Sequence, residues 1–409
     1  MFFGIFLLAS TLAASPGARA DPVAQDQILL PRVFVLDTES LVAARAEAQS
    51  GSLAPALAEL RSAAARLLGT GPYSILDKQT TAPSGDPHDY LSLSDYWWPN
   101  PDTGDGLPYV QRDGRRNPEA DDTSRYDDVT YSRMVRRVDT LSLAYYLTGE
   151  VAYADQAAQQ VRTWFLDPAT RMNPNMRFAE VIPGRPVDRG TGIIQSRELM
   201  RIVDDVGMLA DAPAWTSSDQ AALQAWFADL VGWLRESNQG RMEARASNNH
   251  GTWYAAQLAD FALFSGQDAL AAEILVGIPA RIAAQIEPDG SQPQELRRTK
   301  SFHYSAFNLL ALTQLARMGA QVGVDLWGYQ TADGRGIRAA LDFLLPVAGG
   351  EGWPYQELAP IDLAHDVGPL LVAAARTYPN GPYGLILADL MARQRALTAL
   401  DLWLGIWAL

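Results

Sequence analysis

The chain of 409 residues contains no cysteine, which excludes disulfides, thiolate nucleophiles and thiolate metal sites. Histidine is scarce as well. The four copies, His88, His250, His303 and His365, show no metal-ligand spacing of the H-x-x-x-H kind, so neither a metal nor another cofactor is expected. Basic charge is short: 33 Lys and Arg face 47 Asp and Glu, a net of −14. A nucleic-acid binder would show a basic footprint, and a polyanionic ligand here requires a locally basic cleft. Beyond the first twenty residues no apolar stretch reaches membrane-spanning length without charges. Strand-like alternation is rare, and no heptad pattern specifies an oligomeric state.

The start of the chain has the pattern of an export signal. Phe2 to Ala14 form an apolar run, and Ala18-Arg19-Ala20 gives a small-x-small cleavage site before Asp21. A signal peptide over 1–20 and one catalytic domain over 21–409 are the expected organisation, with a periplasmic or secreted destination.

Helical periodicity dominates. Leu41 to Leu68 reads as an amphipathic helix. Val138 to Leu147 ends at Thr148-Gly149-Glu150 and a helix resumes over Ala152 to Phe165; Trp253 to Phe264 ends at Ser265-Gly266-Gln267 and a helix resumes over Ala269 to Val276. Both read as helix, glycine stop, short turn, helix, with glycine where a left-handed cap belongs. Phe302 to Met318 is apolar on nearly every side, the mark of a buried helix. The expected fold is an all-α (α/α) toroid, an incomplete barrel of about six or seven helical hairpins, whose last hairpins lie around Gly368 to Leu409. Residues 69–130 break the pattern. This Pro-, Gly-, Asp- and Tyr-rich stretch is too long for an ordinary loop and predicts a functional rim.

Two polar clusters carry chemistry. Ser247-Asn248-Asn249-His250-Gly251-Thr252-Trp253-Tyr254 places two amides and an imidazole at the start of a helical run. A helix beginning near Ser247 would present them in its first turn beside free backbone N–H groups, a place to hold a carboxylate; Ser247 or Asn248 can equally be a helix cap. The second cluster, Gln294 to Ser305, contains Arg297, Arg298, Lys300, His303 and Tyr304. Continuous helix would put Arg297, seven residues before Tyr304, on the phenol's face. A guanidinium beside a phenol lowers its pKa and equips it as a general base or acid. In the rim, Tyr90, Tyr96, Trp97 and Trp98 suit stacking on sugar rings or pinning of the loop, and Arg112, Arg115 and Arg116 suit contact with carboxylates. Arg185 and Arg189 would add positive charge to a cleft.

These two clusters, with the segment Leu91 to Glu119 that contains Tyr96-Trp97-Trp98-Pro99-Asn100-Pro101, resemble the alginate lyase superfamily over residues 70–345 or so. The resemblance implies an (α/α) toroid and β-elimination on (1→4)-linked polyuronates, alginate or polymannuronate first and glucuronan as the alternative. It implies Asn249 and His250 as the carboxylate-neutralising pair and Tyr304 with Arg298 or Arg297 as the proton-transfer pair, the family's spacing favouring Arg298. Tyr304 would take the C5 proton, protonate the leaving O4, or both, with His250 the base for one epimer. Tyr96, Trp97, Trp98, Tyr90, Asn248, Lys300 and Arg112 are the candidates for holding the anionic polysaccharide. The best-known members carry Arg or Lys soon after the histidine, where this chain has Gly251-Thr252-Trp253. The rival classes are a glycoside hydrolase on the same toroid, with Asp127, Asp128, Glu198 and Glu295 as candidate carboxylates, and a non-catalytic glycan-binding protein.

Overall fold

A computed structural model describes residues 30–51 and 53–393. The expected signal peptide, and the closing segment beyond Arg393, lie outside these residues. In chain order the helices are α1 (Thr38–Ser50), α2 (Ala54–Leu68), α3 (Asp128–Thr148), α4 (Val151–Val161), α5 (Leu199–Met208), α6 (Ser217–Glu236), α7 (Asn238–Ala244), α8 (Asn249–Phe264), α9 (Asp268–Gln285), α10 (Pro293–Leu296), α11 (Ser301–Gln321), α12 (Ile337–Ala348), α13 (Leu363–Thr377) and α14 (Tyr383–Arg393).

Helices α3, α5, α8, α11 and α13 pack one on the next as an inner wall. Helix α4 backs α3, α6 and α9 back α8, α12 bridges α11 and α13, and α14 backs α13. Inner and outer helices thus alternate along the chain, which is the (α/α) toroid. The inner helices can be apolar nearly all round because both faces are covered: in α8 every residue from Gly251 to Phe264 is buried. Trp253 is 2% exposed and its ring sits 4.9 Å from that of Phe307 on α11, a pair that contributes about 0.5–1.5 kcal/mol beyond its buried area.

The two glycine stops behave as read. Gly149 closes α3 at φ 73° and Gly266 follows α8 at φ 77°, left-handed conformations that glycine adopts without Cβ strain. The single helix expected over Leu41 to Leu68 is instead two, α1 and α2, broken at Gly51 with φ 87°. Amphipathic periodicity carried across the break, whose local signs were Gly51 and Pro55 in the first turn of α2. The helix of Ala152 to Phe165 ends in a π-turn over Arg162–Leu166.

The rim is ordered. Strand β1 (Leu91–Leu93) pairs in parallel with β4 (Phe178–Val181), and β2 (Trp97–Trp98) pairs antiparallel with β3 (Val110–Gln111). Beneath it lies a small apolar cluster of its own, including Leu93, Tyr109, Tyr126, Phe178 and Ile182. That cluster and the two strand pairs are what hold so long an irregular segment in place.

Candidate active site

One cleft of about 660 Å³ opens where the inner helices begin. Its walls carry the first-turn residues Asp128 of α3, Asn249 and His250 of α8, Tyr304 of α11 and Asp366 of α13, with Glu198 just ahead of α5 and Tyr96 and Trp97 from the rim. Positive helix ends therefore converge on it. Six residues of the two sequence clusters, Asn248, Asn249, His250, Arg298, His303 and Tyr304, share this cleft.

Tyr304 and Arg298 form one unit. The guanidinium carbon lies 3.7 Å from the centroid of the Tyr304 ring, and the Tyr304 hydroxyl donates to Tyr96 Oη at 3.0 Å. Arg298 is itself clamped by the rim: Nη2 and Nε donate to Asp113 at 2.7 and 3.3 Å, and Asp113 also accepts from Thr299 N and Oγ1. This pair uses Nε and Nη2 and leaves Nη1 for the cleft. The expected lowering of the phenol's pKa does not occur. Burial pushes it well above the usual tyrosine range, Tyr96 adds to that, and Arg298 pulls the other way with less effect. The cation lies over the ring face rather than beside the oxygen, so it stabilises the phenolate weakly. Tyr304 is a phenol at rest.

Arg297 does not reach the cleft. It is exposed, and its Nη1 donates to Gln294 Oε1 at 3.3 Å. The helical argument that favoured it fails because the chain is not one helix here: α10 ends at Leu296 and α11 starts at Ser301.

His250 is oriented by a residue the sequence did not flag. Its Nδ1 lies 2.5 Å from Oε1 of Glu243, a carboxyl on α7 with a side chain only 5% exposed. Nε2 is then the nitrogen facing the cleft. Burial penalises the imidazolium, but the Glu243 hydrogen bond and the charges of Glu243 and Glu180 outweigh it, and the pKa is raised. Glu243 lies seven residues before His250 on a separate helix, a spacing without meaning until the turn between α7 and α8 is seen. That turn also explains Gly251. A Cβ there would run into the Ala246 carbonyl oxygen and Arg281, so no larger residue fits.

Asn249 sits differently from expectation. Helix α8 begins at Asn249 after the cap Asn248, with His250 in its first turn, but the carboxyl group at its N-terminus is the chain's own. Asn249 N and Nδ2 donate to Glu295 Oε1 and Oε2 at 2.7 and 2.6 Å. Glu295 is raised in pKa by burial, against the pull of those two hydrogen bonds. The second Nδ2 hydrogen has no protein partner, although Asn249 is fully buried in the cleft wall. Asn248 caps the helix by its backbone and lines the cleft without a capping side-chain bond.

The remaining candidates divide. Tyr96 and Trp97 line the cleft, but Arg185 and Arg189 lie 4.6 and 5.4 Å from the Trp97 ring centroid, so cations already occupy that ring. Tyr90 is corrected: it is fully buried, its hydroxyl bonds Gln195 and its ring packs on Tyr131, so it has no face for a sugar. Trp98 and Arg112 pair with each other at 5.1 Å outside the cleft lining, and Trp98 donates to Arg115 O. Lys300 also lies outside the lining, at the cap of α11, where its backbone makes an isolated antiparallel β-bridge with that of Glu357. Arg116 reaches the cleft but is held by Asp95, Asp121 and Asp128, and burial pushes Asp95 up to about 7 against the pull of Arg116. Of the hydrolase carboxylates, Asp127 is buried on Lys78 at 3.0 Å and Glu295 on Asn249. Sequence reasoning also passed over Glu180, Gln195 and the His303–Asp366 pair, bonded at 2.7 Å, all of which line the cleft. No group of three or more His, Asp or Glu among the described residues is arranged to hold a metal ion, and no described helix is long and apolar enough to cross a membrane.

The fold and cleft define the class: an α/α-toroid protein whose inner-helix N-termini and hydrogen-bond donors surround one polar site. Residues 74–353 match the family model for alginate lyase. A solved alginate lyase from Bacteroides ovatus is 37% identical, with 88% of this chain and 96% of that chain aligned at a TM-score of 0.85. Alginate lyase A1-III from Sphingomonas species A1 shares the fold at 17% identity, over 87% of this chain and 91% of that one, with a TM-score of 0.53. A variant of A1-III solved with a tetrasaccharide aligns with 17% identity and a TM-score of 0.54 over 86% of this chain and 90% of that one. No curated protein matches. The chain belongs to the alginate lyase family.

Proposed function

We propose that this protein is a polysaccharide lyase that cleaves (1→4)-linked polyuronates, alginate first, by β-elimination. The observation that supports this reading best is the meeting of Tyr304, Arg298, Asn249 and His250 in one cleft, from two segments about 45 residues apart in the chain. The proton on C5 of a uronate lies next to a carboxylate, and its removal builds charge on that group. Asn249 Nδ2 and Arg298 Nη1 are donors for that charge. Each donor placed before the reaction is worth roughly 2.7–4 kcal/mol of barrier.

The two titratable groups divide the proton work. Tyr304, held as a phenol, gives its proton to O4 as the C4–O4 bond breaks. His250, made more basic by Glu243 behind Nδ1, takes the C5 proton on Nε2 in its neutral form. The electron pair of C5–H becomes the C4=C5 double bond, and the C4–O4 pair leaves with the oxygen and takes the Tyr304 proton. The products are an unsaturated uronate at the new non-reducing end and a hemiacetal hydroxyl on C1 at the new reducing end. We place the enzyme outside the cytoplasm, on the signal pattern of Phe2 to Ala20 and on the polymeric nature of such a substrate.

The test is ultraviolet absorbance of the unsaturated product on polymannuronate, polyguluronate, glucuronan and a neutral glucan. A rise on a polyuronate alone supports elimination and names the sugar. New reducing ends without absorbance would replace this reading by hydrolysis.

A further inference from the structure

We propose that Gln195 is a substrate-binding residue whose side-chain Nε2 donates to a uronate carboxylate of the bound chain, and that Tyr90, Ser92 and Glu180 exist around it to fix that donor. The proposal rests on the polyuronate reading above. Gln195 lies in the 3-10 segment Thr191–Glu198, lines the cleft and is 8% exposed. Its Oε1 accepts from two hydroxyls at once, Tyr90 Oη at 3.1 Å and Ser92 Oγ at 2.7 Å.

Ser92 Oγ accepts the backbone N–H of Glu180 at 2.8 Å and donates to Gln195 Oε1, as does Tyr90 Oη. Both acceptor sites of Oε1 are thus filled by hydroxyls of the wall, and Nε2 is the end of the amide left for the cleft. Among the described residues no protein acceptor takes it. A glutamine serving only the core would have the donor end satisfied too, because buried amide hydrogens are costly to leave unpaired.

The surroundings over-determine this placement. The Gln195 carbonyl accepts from Tyr131 Oη at 3.2 Å. Gly192 lets the segment press on β4 so closely that a Cβ would run into the Ala179 carbonyl. Glu180, whose N–H starts the hydrogen-bond chain, has φ 54° and is the one non-glycine residue with positive φ among those described. Strain of this kind persists where surrounding structure imposes it, and it concentrates at functional sites. Here it aims the N–H of Glu180 at Ser92. An amide pinned as a pure donor matches a pure acceptor, and the repeating acceptor of a polyuronate is its carboxylate.

Gln195→Glu is the informative variant. It keeps an acceptor for Tyr90 and Ser92 and replaces only the donor by a carboxylate oxygen. KM on the polyuronate is expected to rise about 10- to 100-fold, with kcat changed far less. The penalty should shrink as pH falls and the new carboxyl regains a proton. A merely structural role would not make KM depend on pH in this way. Tyr90→Phe, which removes one of two pins and leaves Gln195 in place, should raise KM by a smaller factor. An unchanged KM in Gln195→Glu with an active wild type, or an unchanged KM in Tyr90→Phe if the first variant does not fold, overturns the proposal. Calorimetric binding of uronate oligosaccharides to wild type and Gln195→Glu separates it from the lyase reading: should the wild type give no unsaturated product, equal affinities still overturn the inference and a loss in the variant still supports it.

Discussion

Glu243→Gln tests the division of proton work most directly. Glu243 Oε1 lies 2.5 Å from His250 Nδ1, and its side chain is almost wholly withdrawn from solvent. The substitution keeps shape but removes the charge. A hydrogen bond to a charged group contributes about 1.5–3 kcal/mol, and one pKa unit corresponds to about 1.4 kcal/mol, so the imidazole should fall by roughly one to two units. The sign follows from the protonation state used. His250 acts as a base only when neutral, and its pKa in the folded protein is raised above the ordinary 6.5. Activity therefore climbs with pH through that raised value in the wild type. In Glu243→Gln the climb should begin one to two pH units lower, while the plateau falls because the imidazole is a weaker and less well-oriented base. That fall is bounded by the roughly 10²–10⁴-fold that general acid–base catalysis supplies. The assay is the pH profile of kcat/KM from product absorbance. An acid limb at the same pH in both proteins would refute the base role of His250, and a limb moved upward would refute the electrostatics.

Three further outcomes are expected. Tyr304→Phe should abolish turnover while oligosaccharide affinity stays within a few-fold, since only the proton and the contact with Tyr96 Oη are lost; near-full activity would remove Tyr304 from the mechanism. Arg298→Ala should lower kcat by about 10²-fold or more and loosen the rim at Asp113, whereas Arg297→Ala should leave kcat/KM unchanged, because its contact is with exposed Gln294; steady-state kinetics of the two variants decides. Gly251→Ala should cost about 1–3 kcal/mol of stability by overpacking, read as a lower thermal midpoint, because the Ala246 carbonyl occupies the space a Cβ needs.

The parts legible in the sequence were those that local chemistry dictates. Glycine stops at Gly149 and Gly266 and the apolar surround of α8 and α11 announced helical hairpins, because φ sign and periodicity are local properties. The pairing of distant groups was not legible. Arg298 over Tyr304 depends on a break between Leu296 and Ser301 that no breaker residue marks. Glu243 behind His250 depends on the angle between α7 and α8. Tyr90 looked like a stacking residue because aromatic identity does not reveal burial, and it proved to be a pin for an amide. The phenol pKa went the wrong way for a related reason. A neighbouring cation was inferred, but its position over the ring face and the depth of burial decide the sign, and both are tertiary facts.

The structure also resolves an apparent conflict between a net charge of −14 and a polyanionic substrate. The cleft is not a basic field. Arg116 is tied to three carboxylates, Arg298 to Asp113, and the N-terminal N–H of α8 to Glu295. What lines it instead is a short set of individually oriented groups at converging helix ends, with Arg189 and Arg197 beside Asn249, Arg298 and, as proposed, Gln195. Each acidic partner orients a donor while cancelling its long-range charge. Such a site binds an anion by contact rather than by steering. A strongly basic cleft would hold substrate and charged product alike, whereas donors aimed at the carboxylate gain most as charge builds there in the transition state.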